Sequence, residues 1–402
     1  MGIEVRRLTE DDQERRRFVT DVAFASSARF EPDSQPDALP LDGALGAFVD
    51  GELCACLSAI PFVHWLSGAP FAFGGVAGVA CLPEFRRRGL TDAMLRRALV
   101  EMRERGQALS GLYTIHFPLY ERYGWEPAEL QLTHRFSVRD VAPRDPAPPA
   151  GRFVRAAPAD VPRLDAVWRR HIARENGRLE RDERWWREGV FGERDGVPQR
   201  DLIAWEDEAG EWQGWLCFRE SRPADLSTWR LAVREIVALT PDAWRQLLAL
   251  LMHHDRAVET TYTSPEDSPF RSTLVNPLAV ETTARERLLL RVVDLQAAVR
   301  QRPCLASSPL RAAVRIMDPT APWNDGGWLI STENGRMDAQ PLRSGEPAAT
   351  MRINTFATLF NGYRRASHAT AAGQIDVHDA AALPALDALF SVNARPFSVD
   401  GF

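Results

Sequence analysis

The sequence predicts an α+β protein of three units, the first two built to one plan, and three observations lead there. Residues 143–151, "PRDPAPPAG", hold four Pro and one Gly and no large apolar side chain, which is the composition of a linker. On either side of it the chain opens alike. "VRRLTEDDQERRRFV" from Val5 and "VRAAPADVPRLDAVW" from Val154 each read as a short strand, an Asp-centred cap at Asp12 or Asp160, and a helix. From about Arg291 the pattern changes to "RVVDLQAAVRQR", a strand-like "GGWLISTENGRMDA", then helical "FATLFNGYRRASHATAAG" and "ALPALDALFSV", which compose a third α+β unit. The expected divisions are 1–143, 152–288 and 289–402.

In the first unit, "GGVAGVACLPEFRRRGLTDAMLRRAL", Gly74 to Leu99, runs an apolar segment into three arginines and a glycine. Gly78 to Leu82 is small and β-branched, apt for a strand interior, and Pro83 stops it. After Gly89 the apolar positions Leu90, Met94, Leu95, Ala98, Leu99 and Met102 follow helical spacing, so one face of that helix is predicted to be buried. Arg86 to Thr91 then sit on a strand-to-helix turn, where unpaired N–H groups and the positive end of the helix dipole favour an anion. Gly89 lets the backbone approach the bound group. The competing reading is a solvated helix start that is merely basic.

The second unit holds eight of the twelve Trp residues, read as core and interface packing rather than a ligand cage. Its "DLIAWEDEAGEWQGWLCFRE" predicts a hairpin of two half-buried strands around Glu208 to Gly210. His253 and His254, in "PDAWRQLLALLMHHDRAV", fall on a predicted helix where adjacent side chains point apart, and both read as surface histidines.

Composition narrows the function. At 402 residues the chain exceeds one ordinary core, and its 45% apolar and 26% charged residues are those of a soluble globular protein. No run approaches the roughly 18 apolar residues of a membrane span, and "MGIEVRRLTEDDQERRRF" lacks a signal-peptide core. The expectation is a cytoplasmic protein with no membrane span. Cys54, Cys56, Cys81, Cys217 and Cys304 lack metal-ligand spacing and read as reduced, mostly buried thiols, so no metal is expected. A net charge of −6 argues against nucleic acid as a partner. All 49 basic residues are Arg. Without a Lys there is neither a P-loop lysine nor a pyridoxal Schiff base. HExxH and GxSxG are absent as well, which removes the commonest zinc-peptidase and serine-hydrolase readings.

The pattern Arg-x-x-Gly-x-Thr, Arg86 to Thr91, resembles the pyrophosphate loop of the GCN5-related N-acetyltransferases, with Thr91 departing from the family's last Gly or Ala. "GLYTIHFPLYERYGW" is similar to the family's Tyr-x-x-x-Gly-aromatic segment. "GVACLPEFRRRGL", "LYERYGW", the linker, the second domain, "RVVDLQAAV", "LFNGYRRAS" and a chain ending at "FSVDGF" together resemble the Eis (enhanced intracellular survival) acetyltransferases over essentially the full length. The resemblance implies two tandem GCN5-related acetyltransferase-like domains, the second degenerate, followed by a sterol-carrier-protein-like domain, in a homo-hexamer.

It also implies acetyl-CoA as co-substrate and a primary amine of a small molecule or a peptide lysine as acceptor. The backbone at Val79, Ala80 and Cys81 would hold the pantetheine arm, and Arg87, Arg88, Gly89, Leu90, Thr91 and Asp92 the pyrophosphate. Ile115 and His116 match positions lining the cofactor. Tyr120 aligns with the family's general acid, and a phenol of pKa near 10 suits a departing thiolate. The alternative for Tyr120 is a half-buried packing residue, with Tyr123 three positions away. The group's base is its own terminal carboxylate, here that of Phe402, where a solvated chain end is the alternative. Antibiotic-acetylating members carry acidic residues where this chain has Ser26 and Gly401, so a polycationic acceptor would meet less negative charge, although Glu31, Asp33 and Asp37 stand nearby in sequence. The runner-up is a catalytically silent acyl-CoA or lipid-binding protein.

Overall fold

The computed structural model describes residues 2–24, 39–145, 151–194, 196–221 and 229–402. Among the described residues the strands form three sheets, of eight, seven and five strands. The first contains β1 (Ile3–Arg7), β2 (Ala44–Val49), β3 (Glu52–Leu66), β4 (Ala69–Cys81) and β5 (Leu109–Tyr113), in that order. All six residues of β2 are buried, the mark of a strand covered on both faces. One cover is α1 (Gln13–Phe24), which packs on β3 and β4, and the other is α2 (Leu90–Glu104). The apolar stripe predicted for α2 is buried at every named position.

The duplicated opening is present as elements. Each unit begins with a strand, a 3-10 turn and a 12-residue helix, and in both the turn is closed by an aspartate, Asp12 accepting from Thr9 N (2.8 Å) and Asp160 from Ala157 N (2.9 Å). The Trp-rich hairpin also forms, with Asp201–Glu206 antiparallel to Trp212–Ser221.

The sheets are not collinear with the divisions 1–143, 152–288 and 289–402. Leu130–Phe136 leaves the first sheet and enters the second, between Glu281–Glu286 and Glu259–Pro265. Leu288–Val292 returns to the first sheet, antiparallel to β5. The physical reason is edge pairing: β5 pairs β4 on one side, and the fully buried run "LLLRV" supplies its other ladder. The expected linker also starts as packed chain, since Arg144 N donates to Thr273 O (2.7 Å), while residues 146–150 lie outside the described residues.

The five-stranded sheet belongs to the third unit, and its core continues into the first. Leu66, Phe71, Phe73 and Leu109 share one apolar cluster with Val314, Phe356 and Phe390. Two local readings are corrected here. The helix expected through "FATLFNGYRRAS" breaks after Phe360, where Gly362 takes φ +78°. His254 is not a free surface histidine, because its Nδ1 lies 2.9 Å from a Glu220 carboxylate oxygen and its ring meets Phe218 edge-on at 4.7 Å.

Burial gives the fold a pH dependence. His64, stacked on Phe73 with no partner for either ring nitrogen among the described residues, is pushed down to about 4 by burial, and so is His134. Unfolded histidines titrate near 6.5, so between about pH 4 and 6.5 the unfolded chain binds protons that these two folded residues refuse. Stability is therefore lost as pH falls through that window. Glu129 works oppositely, because burial lifts it to about 7 and it takes up a proton earlier in the folded state. His171, pushed down to about 3 by burial, adds to the loss, and Glu126, raised by burial, adds to the gain, so three histidines against two carboxyls leave a net loss. The unfolding midpoint is expected to drop between about pH 7 and about pH 5, and to drop less in His64→Phe. Equal drops in the two proteins would contradict the assignment to His64.

Candidate active site

The site begins where two strands separate. β4 pairs β5 in parallel only from Phe73 opposite Leu109 to Val76 opposite Leu112, after which β5 ends at Tyr113 while β4 continues to Cys81. A register shift against β3 and Gly78 at φ +58° turn β4 at that point. Ala80 and Cys81 keep their ladder to β3, opposite Cys56 and Ala55, Val79 falls at the register shift, and the other edge of this segment borders the opening. Ile115 and His116 follow the end of β5, and both are exposed.

At the far end of β4 lies the turn into α2. Arg86, Arg87, Arg88 and Gly89 are exposed, and Leu90 is buried. Gly89 sits at φ +83°, and a Cβ there would meet nothing within 4 Å, so backbone conformation rather than crowding demands glycine. The first intrahelical bond runs from Ala93 N to Gly89 O (3.0 Å), leaving the N–H groups of Leu90, Thr91 and Asp92 at the positive end of the helix. This cradle fits a pyrophosphate. Asp92 brings an opposing charge, and Arg96 pairs with it at 3.0 Å.

The Tyr-x-x-x-Gly-aromatic segment forms α3 (Phe117–Glu121) and the turn after it. Tyr120 is 8% exposed, its ring meets Trp125 edge-on at 6.4 Å, and burial pushes its hydroxyl up to about 12. Tyr123 differs. Its phenol is raised first by burial and then by the nearby Asp92 carboxylate. Gly124, at φ +90°, lies against a guanidinium, since a Cβ there would stand 2.7 Å from Arg291 Nη1. Arg291 comes from the inserted strand Leu288–Val292 and pairs with Asp318 of the third unit at 2.6 Å, both side chains fully buried. The first and third units of sequence therefore meet under this turn.

The chain end lies on the opposite face of β4 from α2. A Cβ on Gly74 would strike Met102 of α2, whereas one on Gly75 would strike the rings of Phe62 and Phe402, at 2.6 and 2.7 Å. The Phe402 ring also lies 6.1 Å from Phe73 and 5.2 Å from Tyr113, beside the point where β4 and β5 part. No helix delivers it there. The last helix, Ala382–Leu389, is followed by an irregular tail.

Contacts from the first two units hold the tail. Phe397 N donates to Asn176 O (3.0 Å), Ser398 N to Glu129 Oε2 (2.7 Å), and the Tyr113 hydroxyl to Asp400 O (2.8 Å). The Asp400 carboxylate takes bonds from Arg181 Nε (2.9 Å) and Nη2 (3.1 Å) and from Arg234 (2.5 Å). Burial opposes the charge on Arg181, but Asp400 and Glu235 outweigh it and raise its affinity for the proton. Gly401 is exposed, and a Cβ there would stand 3.9 Å from Arg287 Nη2. Ser26 lies outside the described residues, as do Glu31, Asp33 and Asp37.

Phe402 and Gly401 line a cavity of 790 Å³ between the first and second units, together with Phe62, Trp185 and Asp42. Residues 4–128 match the acetyltransferase (GNAT) domain family, residues 177–292 match a second acetyltransferase (GNAT) domain family, and residues 295–398 match the sterol carrier protein domain family. An uncharacterized N-acetyltransferase of Streptomyces griseus is 26% identical with both chains covered in full. N-acetyltransferase Eis of Mycobacterium bovis is 27% identical over 79% of this chain and 77% of its own.

The chain carries two acetyltransferase (GNAT) domains, is an N-acetyltransferase, and is similar to Eis over most of its length.

Two solved structures share this fold over the full length of both chains. They are Eis1 of Mycobacterium abscessus (TM-score 0.84, 24% identical) and a GCN5-related N-acetyltransferase of Anabaena variabilis (TM-score 0.87, 18% identical). The architecture is thus two acetyltransferase-type units followed by a sterol-carrier-type unit, as the sequence predicted. Among the described residues no group of three or more His, Cys, Asp and Glu side chains is arranged to hold a metal ion, and no helix is long and apolar enough to cross a membrane.

Sequence reading missed Gly75, Phe62, Trp185 and the pair Arg181–Asp400. For Gly75 a signal existed in the doubled glycine of "GGVAGV", where one residue faces a helix and the next makes room for two rings. For Arg181 there was none, because its partner is 219 residues away.

Proposed function

We propose that the chain transfers the acetyl group of acetyl-CoA to a primary amine of a small molecule or a peptide lysine, with Tyr120 as general acid and the α-carboxylate of Phe402 as general base. The observation that carries this reading is the placement of Phe402 on the face of β4 opposite α2, beside the strand opening, with the anion cradle at the start of α2. A cofactor held from one face and an amine arriving from the other would meet at the opening.

Bound acetyl-CoA supplies a thioester carbon for the amine to attack and a thiolate that leaves. Arg87, Arg88 and Gly89 with the N–H groups of Leu90, Thr91 and Asp92 hold its pyrophosphate, and the free edge of Val79, Ala80 and Cys81 holds the pantetheine amides. Ile115 and His116 border the same channel. The Phe402 carboxylate accepts the proton that the amine nitrogen must lose, directly or through water, and the Tyr120 hydroxyl gives a proton to the departing sulfur. A phenol kept protonated well above neutral pH is suited to that donation.

In this reading residues 1–143 carry the transfer, 152–288 are a degenerate copy that walls the acceptor cavity, and 289–402 deliver Phe402. The hexamer and the cytoplasmic location implied by the resemblance belong to the same proposal. The silent lipid-binding alternative is disfavoured by the third unit's interior, which is filled by side chains such as Phe356, Phe360 and Phe390.

Thiol release from acetyl-CoA across a panel of amines tests the proposal. Release that depends on amine is expected, and tight acetyl-CoA binding without release for any amine would identify a silent binder. Gly89→Val forces a β-branched residue to positive φ, which should weaken acetyl-CoA binding by about tenfold with little change in the unfolding midpoint. Unchanged affinity by calorimetry would remove the cradle from the account.

A further inference from the structure

We infer that the acceptor is a primary amine carried on an aromatic body, and that Trp185 of the second unit selects it. This rests on the transferase reading above and names its substrate class.

Three rings lead from the second unit to the proposed base. Trp185 meets Phe62 edge-on at 5.6 Å, and Phe62 lies against Phe402 at 4.9 Å with a 39° tilt. All three line the 790 Å³ cavity, along with Ile60, Pro61 and Val63. An aromatic group laid along this row would gain ring contacts over its whole length and place its amine beside the Phe402 carboxylate. Trp185 opens a π-helical turn, Trp185–Val190, and Gly189 on that turn leaves the indole its place, since a Cβ there would stand 3.0 Å from Trp185 Nε1.

Charge suits an ammonium at this cavity. Asp42, Glu180, Asp182 and Glu188 line it. Asp182 accepts from a neutral donor, Trp185 N at 2.6 Å, and so keeps its charge, while Arg181 is held by Glu235 and Asp400 and Arg184 pairs with Glu188 at 2.8 Å.

The test is kcat/KM by thiol release with 2-phenylethylamine and n-butylamine. The wild-type enzyme is expected to favour 2-phenylethylamine by at least about tenfold. Trp185→Ala should bring the ratio to within about threefold, and Trp185→Phe should keep most of the preference. No aryl preference in the wild type, or a preference untouched in Trp185→Ala, would overturn the inference. Absence of thiol release with every amine would instead overturn the transferase reading, and this inference with it.

Discussion

Tyr120→Phe is expected to lower amine-dependent thiol release by about 10²-fold or more while leaving acetyl-CoA affinity nearly unchanged. The ring stays, so its contact with Trp125 stays, and only the proton donor is removed. Tyr123 is the control that the geometry supplies. Its phenol is raised by burial and by the neighbouring Asp92 carboxylate at the first turn of α2, so Tyr123→Phe removes a peripheral hydroxyl and should cost a few-fold at most. The measurement is steady-state kinetics of both variants at saturating acetyl-CoA. A large loss in Tyr123→Phe with Tyr120→Phe intact would move the acid one turn along the chain.

What was legible in the sequence was local. The buried stripe of α2 follows from 3.6-residue spacing, and the hairpin at 201–221 follows from alternation around a polar turn. Strand exchange was not legible, because Leu130–Phe136 and Leu288–Val292 carry strand-like patterns that fit either sheet. Pairing is settled by which edge lies open, and that is a property of the assembled fold. The anion cradle could be read from Arg86 to Thr91, since a helix start and a glycine are both local features. The seat of Phe402 could not. Its determinants are Gly75, Phe62, Glu129, Arg181 and Asp400, scattered over most of the chain and joined only by packing. The tail lacks regular structure, so no periodicity announces that Ser398 and Asp400 are buried. Resemblance supplied the role of Phe402, and geometry supplies the reason it can be held in place.

That holding is the centre of the account. Asp400 is 1% exposed and gripped by Arg181 and Arg234, so the two residues after it have little freedom to carry the terminal carboxylate elsewhere. One residue added after Phe402 moves the charge by about 3.5 Å, enough to spoil a proton transfer that depends on alignment. It leaves the clamp, the ring of Phe402 and every core untouched. Amine-dependent thiol release by the chain ending at Phe402 and by the same chain with a single added glycine is therefore the most direct comparison. The expected result is loss of about 10²-fold or more in kcat for the extended chain, with unfolding midpoint and acetyl-CoA affinity unchanged. Equal turnover by the two chains would contradict the account and place the base elsewhere, with His116 the first residue to replace.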